Sequence, residues 1–182
     1  MRKILVCLCF FIAGAIFVHQ IIKNVSDRNF KFGEKGTTFR GRLFSGISYE
    51  LHRNGALFRI LYFWKGNQVA TEHRWYPNGE KWEEIEYSNG IINGHHRIWY
   101  SNSMPKFFKN YSMGVPHGEF WGWHQNGNVS DYYYFENGQE MIYKSFISDK
   151  KPFYNYVIKG TERIGINGGD FCKTQVKLSG KF

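Results

Sequence analysis

Proline and cysteine are scarce in this sequence, with 4 prolines and 3 cysteines among 182 residues. The shortage of proline, together with 19% aromatic residues, argues against a disordered chain and indicates ordered β structure. Cys7 and Cys9 lie within an apolar N-terminal segment, so the rest of the chain contains only Cys172. That part is therefore unable to form an internal disulfide, and we interpret Cys172 as a small buried apolar side chain rather than a nucleophile.

Acidic residues are also scarce, with 15 Asp and Glu compared with 24 Lys and Arg. The resulting formal charge of +9 is compatible with an acidic partner such as anionic lipid, cell-wall polymer or nucleic acid. Net charge alone does not choose among these three classes.

The N-terminal segment opens with Arg2 and Lys3 and then has no charge across residues 4–18. This pattern is typical of an export signal whose positive end stays inside while the chain after residue 23 is exported. Two outcomes remain open, cleavage after the small residues 13–15 or retention as an apolar anchor helix roughly 28 Å long. Retention is favoured, because the apolar run continues past the cleavage site.

Turn residues recur along the chain at intervals of 24 residues. The first set is Asn54 and Gly55, Asn78 and Gly79, Asn102 and Ser103, and Asn126 and Gly127. A second set follows each of these turns, at Gly66, Gly90, Gly114 and Gly138. A third set is Gly46, Gly94 and Gly118, with Ala70 in the remaining place. So regular a spacing predicts a repeat architecture in which each unit buries its face on the next.

Each interval predicts one β-hairpin. Asn and Gly both tolerate positive φ, so we predict a two-residue loop at Asn78 and its following glycine. That loop would place Trp75 opposite Trp82 and Arg74 opposite Glu83. Repetition then predicts an antiparallel meander of about eight strands.

Aromatic residues keep the same 24-residue register. Trp75, Trp99 and Trp123 are predicted on one side of their strands, and Tyr76 and Tyr100 on the other. We predict these five as binding residues. The stripe of tryptophans is either the core of a thin sheet or an open platform for a sugar ring, a lipid head group or a partner's apolar side chains. A further aromatic register comprises Phe63, Tyr87, Tyr111 and Phe135.

The pattern "GxxxxxxWYxNGxxxxxxxYxxG" runs through residues 41–138, as in "HRWYPNGEKWEEIEYSNG" and "GEFWGWHQNGNVSDYYYFENG". It resembles the bacterial variant of the MORN repeat, an antitoxin-like repeat family. Ser103 departs from it in place of glycine, as do His52 and His124 in place of the second aromatic residue. The resemblance implies an elongated single-layer sheet of β-hairpins for protein contacts, membrane association or scaffolding, with no catalytic site of its own.

The predicted fold is therefore all-β in four parts. These parts are a signal or anchor over residues 1–23, an N-terminal extension over 24–45, MORN-like hairpin repeats over 46–138 and a basic C-terminal cap over 139–182. Residues 29–44, within the extension, are able to pack across the aromatic stripe. The cap is interpreted as an atypical last unit that covers the edge of the array.

Catalytic and metal-binding patterns find little support. The candidate metal ligands are His73, His95, His96, His117 and His124, but no Cys-His or His-x-x-x-His spacing occurs among them. Glu83, Glu84 and Glu86 are interpreted as a charged edge rather than an acid/base pair. No Gly-x-Ser-x-Gly motif is present. We expect no catalytic residues, no metal and no cofactor.

The leading functional prediction is a non-catalytic interaction or scaffold module that binds another protein, on the outer side of a bacterial membrane or secreted. An alternative is binding of cell-wall glycan or anionic lipid through the aromatic stripe and the basic cap. A third is an enzyme or metal protein built on the histidines. Export argues against nucleic acid, although aromatic rows beside basic residues are able to stack bases.

Overall fold

The computed structural model describes residues 22–146 and 152–165, and in this part the protein is built from β-strands without a helix. The strands are β1 (Ile22–Asn24), β2 (Phe30–Lys31), β3 (Thr38–Phe39), β4 (Arg42–Leu43), β5 (Gly46–Leu51), β6 (Leu57–Trp64), β7 (Asn67–Trp75), β8 (Lys81–Ser88), β9 (Ile91–Trp99), β10 (Pro105–Ser112), β11 (Val115–Pro116), β12 (Gly118–Trp123), β13 (Val129–Glu136), β14 (Gln139–Phe146), β15 (Pro152–Lys159) and β16 (Glu162–Gly165). The all-β prediction is confirmed. The predicted N-terminal helix and Cys172 lie outside the described residues.

Thirteen strands belong to one long mixed sheet, and β2, β3 and β4 form a separate three-stranded sheet. The sheet is mixed because β1 pairs parallel with β5, with Ile22 opposite Ile47. The other pairings run antiparallel between β5, β6, β7 and β8, and again from β10 to β16. The chain divides into two compact units between Gly94 and His95, and each is considered by itself. Residues 22–146 and 152–165 include no helical segment that could span a bilayer.

The turn that contains Asn78 has three loop residues. The Gly79 N–H donates to the Tyr76 carbonyl at 2.9 Å, and the Tyr76 N–H donates to the Glu80 carbonyl at 2.8 Å. Only Gly79 has a positive φ, of 86°, which identifies a type I turn followed by a bulge at glycine. The same two hydrogen bonds close the turns that begin at His52, Tyr100 and His124.

The predicted two-residue loop at this turn is wrong. Arg74 does pair with Glu83 as predicted, but the register then shifts and Trp75 lies opposite Lys81 instead of Trp82. A two-residue loop would require a backbone N–H from residue 77, which proline lacks. The asparagine contributes through its side chain instead, because Asn78 Oδ1 accepts a hydrogen bond from the Glu80 N–H at 3.2 Å.

Two-residue loops occur at the second set of turns. Asn89 and Gly90 have φ values of 50° and 82°, and two successive positive values are the mark of a type I′ turn. The same pair of positive values recurs at Lys65 and Gly66, Met113 and Gly114, and Asn137 and Gly138. The hairpin character of the chain is thus confirmed, with the tight turns at the second glycine of each interval.

The third recurring position lies within a strand or at its first residue, and it also has a positive φ. Gly46, Gly94 and Gly118 have φ values of 151°, 113° and 78°, and Ala70 has 58°. An L-residue in this region brings its Cβ close to the following carbonyl oxygen, at a cost of about 1–2 kcal/mol. Ala70 is the member of this set that carries that cost.

Replacing Ala70 with glycine should therefore stabilise the protein by about 1 kcal/mol, because the positive φ costs glycine nothing. The exposed methyl group of Ala70 contributes no buried contact that would be lost. The measurement is urea unfolding of the full chain. Ala56→Gly is the matched control, because Ala56 does not have a positive φ and glycine there should reduce stability. Equal losses for both variants would contradict the prediction.

The core of the N-terminal unit lies beneath residues 30–44, which we call the N-terminal flap. The buried apolar residues of the flap are Phe30 and Phe44, which pack with Leu61 and Phe63 of β6. The rings of Phe44 and Phe63 lie 5.7 Å apart. Two backbone hydrogen bonds, each of 2.8 Å, tie the flap to Gly66, one from the Thr37 N–H and one to the Phe44 carbonyl. The flap thus covers part of β6 in this unit.

Candidate functional site

The five predicted binding residues, Trp75, Trp99, Trp123, Tyr76 and Tyr100, are all half-buried. Each aromatic side chain therefore keeps part of its surface in contact with solvent. Two of the five are joined directly, because the Tyr100 hydroxyl donates to the Trp123 carbonyl at 2.8 Å.

Nearby aromatic rings support these residues within each unit. In the C-terminal unit the Trp123 ring stacks on Trp121 at 6.3 Å, with an angle of 29° between the rings. In the N-terminal unit Tyr76 lies 5.7 Å from Trp82, and Trp75 lies 5.9 Å from His73. The predicted residues are thus anchored by local partners.

The C-terminal unit contains a longer connected series of rings, which we call the aromatic row. It consists of Tyr111, Phe120, Phe135, Tyr133, Tyr143 and Tyr156. Successive ring centroids in this order lie 5.5, 4.6, 6.0, 4.6 and 5.6 Å apart. The row crosses β10, β12, β13, β14 and β15, which at the usual strand spacing is about 19 Å. Five of its six residues are half-buried, and Tyr156 is buried.

Strand pairing places the aromatic row on one face of this unit. Phe120 lies opposite Tyr133, whereas the next pair along the strands is Trp121 with Tyr132. Because successive side chains of a strand point to opposite faces, Trp121 lies on the face away from the row. Trp123, one of the five predicted binding residues, follows Trp121 by two residues in β12 and lies on the same face. The two faces of this unit therefore both carry aromatic side chains.

Two phenol groups of the aromatic row donate hydrogen bonds to carboxylates of the same unit. The Tyr143 hydroxyl donates to Asp131 at 3.1 Å, and the Tyr156 hydroxyl donates to Glu140. Burial raises the pKa of Tyr111, and burial followed by the nearby Tyr143 and Asp131 raises the pKa of Tyr133. An ordinary tyrosine is already neutral at physiological pH, and these upward pKa shifts extend the neutral range of the two phenols to more alkaline pH. The row therefore presents uncharged ring faces.

On the opposite face, Tyr132 is 3% exposed and its ring lies 4.4 Å from that of Trp121. Burial, with a smaller contribution from Glu119, raises the pKa of Tyr132 to about 12. This tyrosine is part of the packing of the unit and is not accessible to a ligand.

Sequence reasoning identified the register of Tyr111 and Phe135 but missed the other four members of the row. Their signal is the alternation of aromatic residues along neighbouring strands, as at Tyr133 and Phe135 two residues apart. Alternation shows which residues share a face, but not which rings touch across the strands. The contacts depend on the strand register, which shifts by one residue between Tyr134 and Phe135.

The N-terminal unit contains a buried network of charged side chains. Its centre is Glu72, whose side chain is 2% exposed. Arg74 Nε donates to Glu72 Oε1 at 2.6 Å, and Arg59 Nη1 lies 3.7 Å from the same oxygen. Gln68 Nε2 donates to the other oxygen, Oε2, at 2.8 Å. Three side chains thus compensate for the burial of this carboxylate.

Two further carboxylates complete the charged network. Glu83 accepts a hydrogen bond of 2.5 Å from Arg74 Nη1, and Glu50 accepts one of 2.7 Å from Arg59 Nε. Glu83 is only 7% exposed, so its interpretation as part of a charged edge is wrong. The cause is its place in the register, because the strand pairing directs it to the same face as Arg74 and Ile85.

Histidines do not converge on a metal site in the ranges 22–146 and 152–165, where no group of three or more His, Cys, Asp or Glu is placed to hold an ion. His73 Nδ1 lies 3.2 Å from Glu84, and His52 Nε2 lies 2.9 Å from the Trp75 carbonyl. His95 lies against the ring of Phe108, at 5.4 Å. These histidines serve local contacts.

Comparison with protein-family profiles and with curated proteins gives no match to the chain.

Proposed function

We propose that this protein is a non-catalytic interaction module that binds another protein through the aromatic row. The observation that carries the proposal is the row itself, with five half-buried aromatic rings in continuous contact on one face. Tyrosine and phenylalanine offer a large contact area and have few rotatable bonds, so they lose little conformational entropy on binding. They are enriched at protein interfaces for this reason.

The charges beside the aromatic row favour a partner with apolar side chains over a polyanion. Lys109 and Arg163 lie on the same face as the row, and so do Asp131 and Glu140. Arg163 lies 5.0 Å from the ring of Tyr156. Among the residues that the structure describes, these two basic and two acidic side chains offset each other on this face, so lipid head groups or nucleic acid would gain little from it.

We further propose that the hairpins are repeats of the MORN type with a period of 24 residues, in an elongated single-layer sheet. Identical turn hydrogen bonds at residues 52, 76, 100 and 124 support this relation. The apolar N-terminal segment would keep the module on the outer side of a bacterial membrane, or direct its secretion. The protein would then act as an exported scaffold.

The test replaces Tyr133, in the middle of the row, with a photo-crosslinking benzoylphenylalanine in the full chain. Irradiation in an envelope extract should produce a covalent adduct with one protein, and that protein should then bind the purified chain. Tyr133→Ala should weaken this binding by about 2 kcal/mol, roughly 30-fold, as for a central interface residue.

Tyr134 provides the matched control, because it is the next residue of β13, is also half-buried and points to the opposite face. A crosslinker there should give no adduct with the same protein, and Tyr134→Ala should change the affinity less than threefold. Circular dichroism checks that both alanine variants fold. If both positions crosslink equally, or if only wall material or liposomes are retained, the proposal is rejected.

A further inference from the structure

A pocket of about 530 Å³ lies between the N-terminal flap and the sheet of the N-terminal unit. Its size is within the range of small-molecule sites, about 300–1,000 Å³. The flap contributes residues 32–34 together with Gly36 and Thr37, and the sheet contributes four members of the charged network, Arg59, Gln68, Glu72 and Arg74. This site is separate from the aromatic row, which lies in the other unit.

The lining of the pocket is charged but balanced. Its Arg, Lys, Asp and Glu members are two basic residues, Arg59 and Arg74, and two acidic residues, Glu34 and Glu72. A simple anion would be attracted by the guanidinium groups and repelled by the carboxylates, and the reverse holds for a cation. An uncharged ligand avoids this conflict.

The charged network still has hydrogen-bonding capacity. Arg59 and Arg74 use Nε and Nη1 for carboxylates, which leaves the Nη2 group of each as a donor. The pocket is also lined by Asn67 and Asn89, whose amides both donate and accept, and by the phenol of Tyr87. A ligand with several hydroxyl groups can use donors and acceptors together.

An aromatic ring stands at the flap side of the same pocket. Phe32 is 60% exposed, and it lies 6.1 Å from Phe30 with the two rings nearly parallel, at 13°. Contact of such a ring with water is unfavourable, so a ligand that covers the ring gains binding free energy. The C–H face of a pyranose ring is an apolar surface that can stack on it.

From these hydrogen-bonding groups and the exposed ring we infer that the pocket binds a neutral saccharide of one or two rings. The sugar hydroxyl groups hydrogen-bond to Arg59, Arg74 and the side-chain amides, and one face of a sugar ring stacks on Phe32. The site differs from the aromatic stripe of the sequence-based glycan alternative. It also does not depend on the aromatic row, so failure of either proposal leaves the other standing.

The test is isothermal titration calorimetry of the full chain, in a detergent without a sugar head group. The probes are three neutral disaccharides, maltose, cellobiose and N,N′-diacetylchitobiose, with glucuronate and glucosamine as charged analogues. At least one neutral disaccharide should bind with a millimolar or lower dissociation constant. Glucuronate and glucosamine should bind more weakly than that neutral disaccharide.

Phe32→Ala should weaken this binding about five- to tenfold, through loss of the stacking surface. Trp64→Ala is the matched control, because Trp64 is 61% exposed and does not line the pocket, and it should change the affinity less than twofold. Circular dichroism checks that both variants fold. Absence of binding by all three disaccharides, tighter binding of a charged analogue, or equal losses for the two variants would each overturn the inference.

Discussion

Replacement of Glu72 by glutamine should lower the free energy of unfolding by about 3 kcal/mol, the usual cost of breaking a buried ion pair. The Glu72 side chain is 2% exposed and accepts hydrogen bonds from Arg74 and Gln68. A glutamine at this position places an N–H₂ group against one of these donors. It also removes the carboxylate charge that Arg59 and Arg74 share. Urea unfolding at neutral pH, monitored by tryptophan fluorescence, measures the loss.

Glu50→Gln is the matched control for this prediction. Glu50 also pairs with Arg59, at 2.7 Å, but its side chain is 28% exposed. Water can hydrate the Arg59 guanidinium once the Glu50 charge is removed, so we expect a loss of stability below about 1 kcal/mol. Similar losses for the two variants would show that burial does not set the strength of this network, and would contradict the prediction.

Gly66→Ala should cost about 3 kcal/mol and release the N-terminal flap from the sheet. The φ of Gly66 is +82°, and a Cβ added there would lie 2.7 Å from Leu43 Cδ2 and 3.1 Å from the Thr37 carbonyl oxygen. The left-handed conformation costs alanine about 1–2 kcal/mol, and the crowding adds a similar amount. Because Gly66 accepts from Thr37 and donates to Phe44, a shift at this residue loosens both ends of the flap attachment.

Gly79→Ala separates the backbone strain from the crowding. Gly79 has nearly the same φ, +86°, but nothing lies within 4 Å of its added Cβ. Its expected loss is therefore about 1 kcal/mol, from the conformation alone. Limited proteolysis should cut within residues 33–36 in Gly66→Ala and not in Gly79→Ala. If both variants lose the same stability and resist cleavage equally, Gly66 is not the attachment point of the flap.

The positions of the turns could be read from the sequence, but the turn types could not be assigned from the Asn-Gly pair alone. Asn78 and Gly79 suit a two-residue loop by composition, yet Pro77 removes the N–H that such a loop needs. Tight loops do occur at the pairs that begin at Asn89 and Asn137, but they also occur at Met113 and Gly114, where the first residue is not a typical turn former. The register of the strands on either side favours that geometry.

The predicted binding residues were chosen by recurrence, which selects residues in the same place of each hairpin. The aromatic row follows contacts between strands instead. Phe120 and Tyr133, for example, are adjacent because β12 and β13 pair with this register, not because of any fixed spacing between them. A periodic pattern therefore found Tyr111 and Phe135 and missed their neighbours.

The β class and the succession of hairpins follow from the amino-acid sequence alone, because they depend on residues close together in the chain. The pairing of Arg74 with Glu83 was expected from a two-residue loop, but it results from a longer loop followed by a register shift. The burial of Glu72 and the pocket that it lines beneath the flap could be seen only in the folded protein. Those features depend on contacts such as that of Thr37 with Gly66, between segments whose association is set by packing rather than by local preference. Strand alternation assigns a side chain to a face, and only packing decides what covers that face.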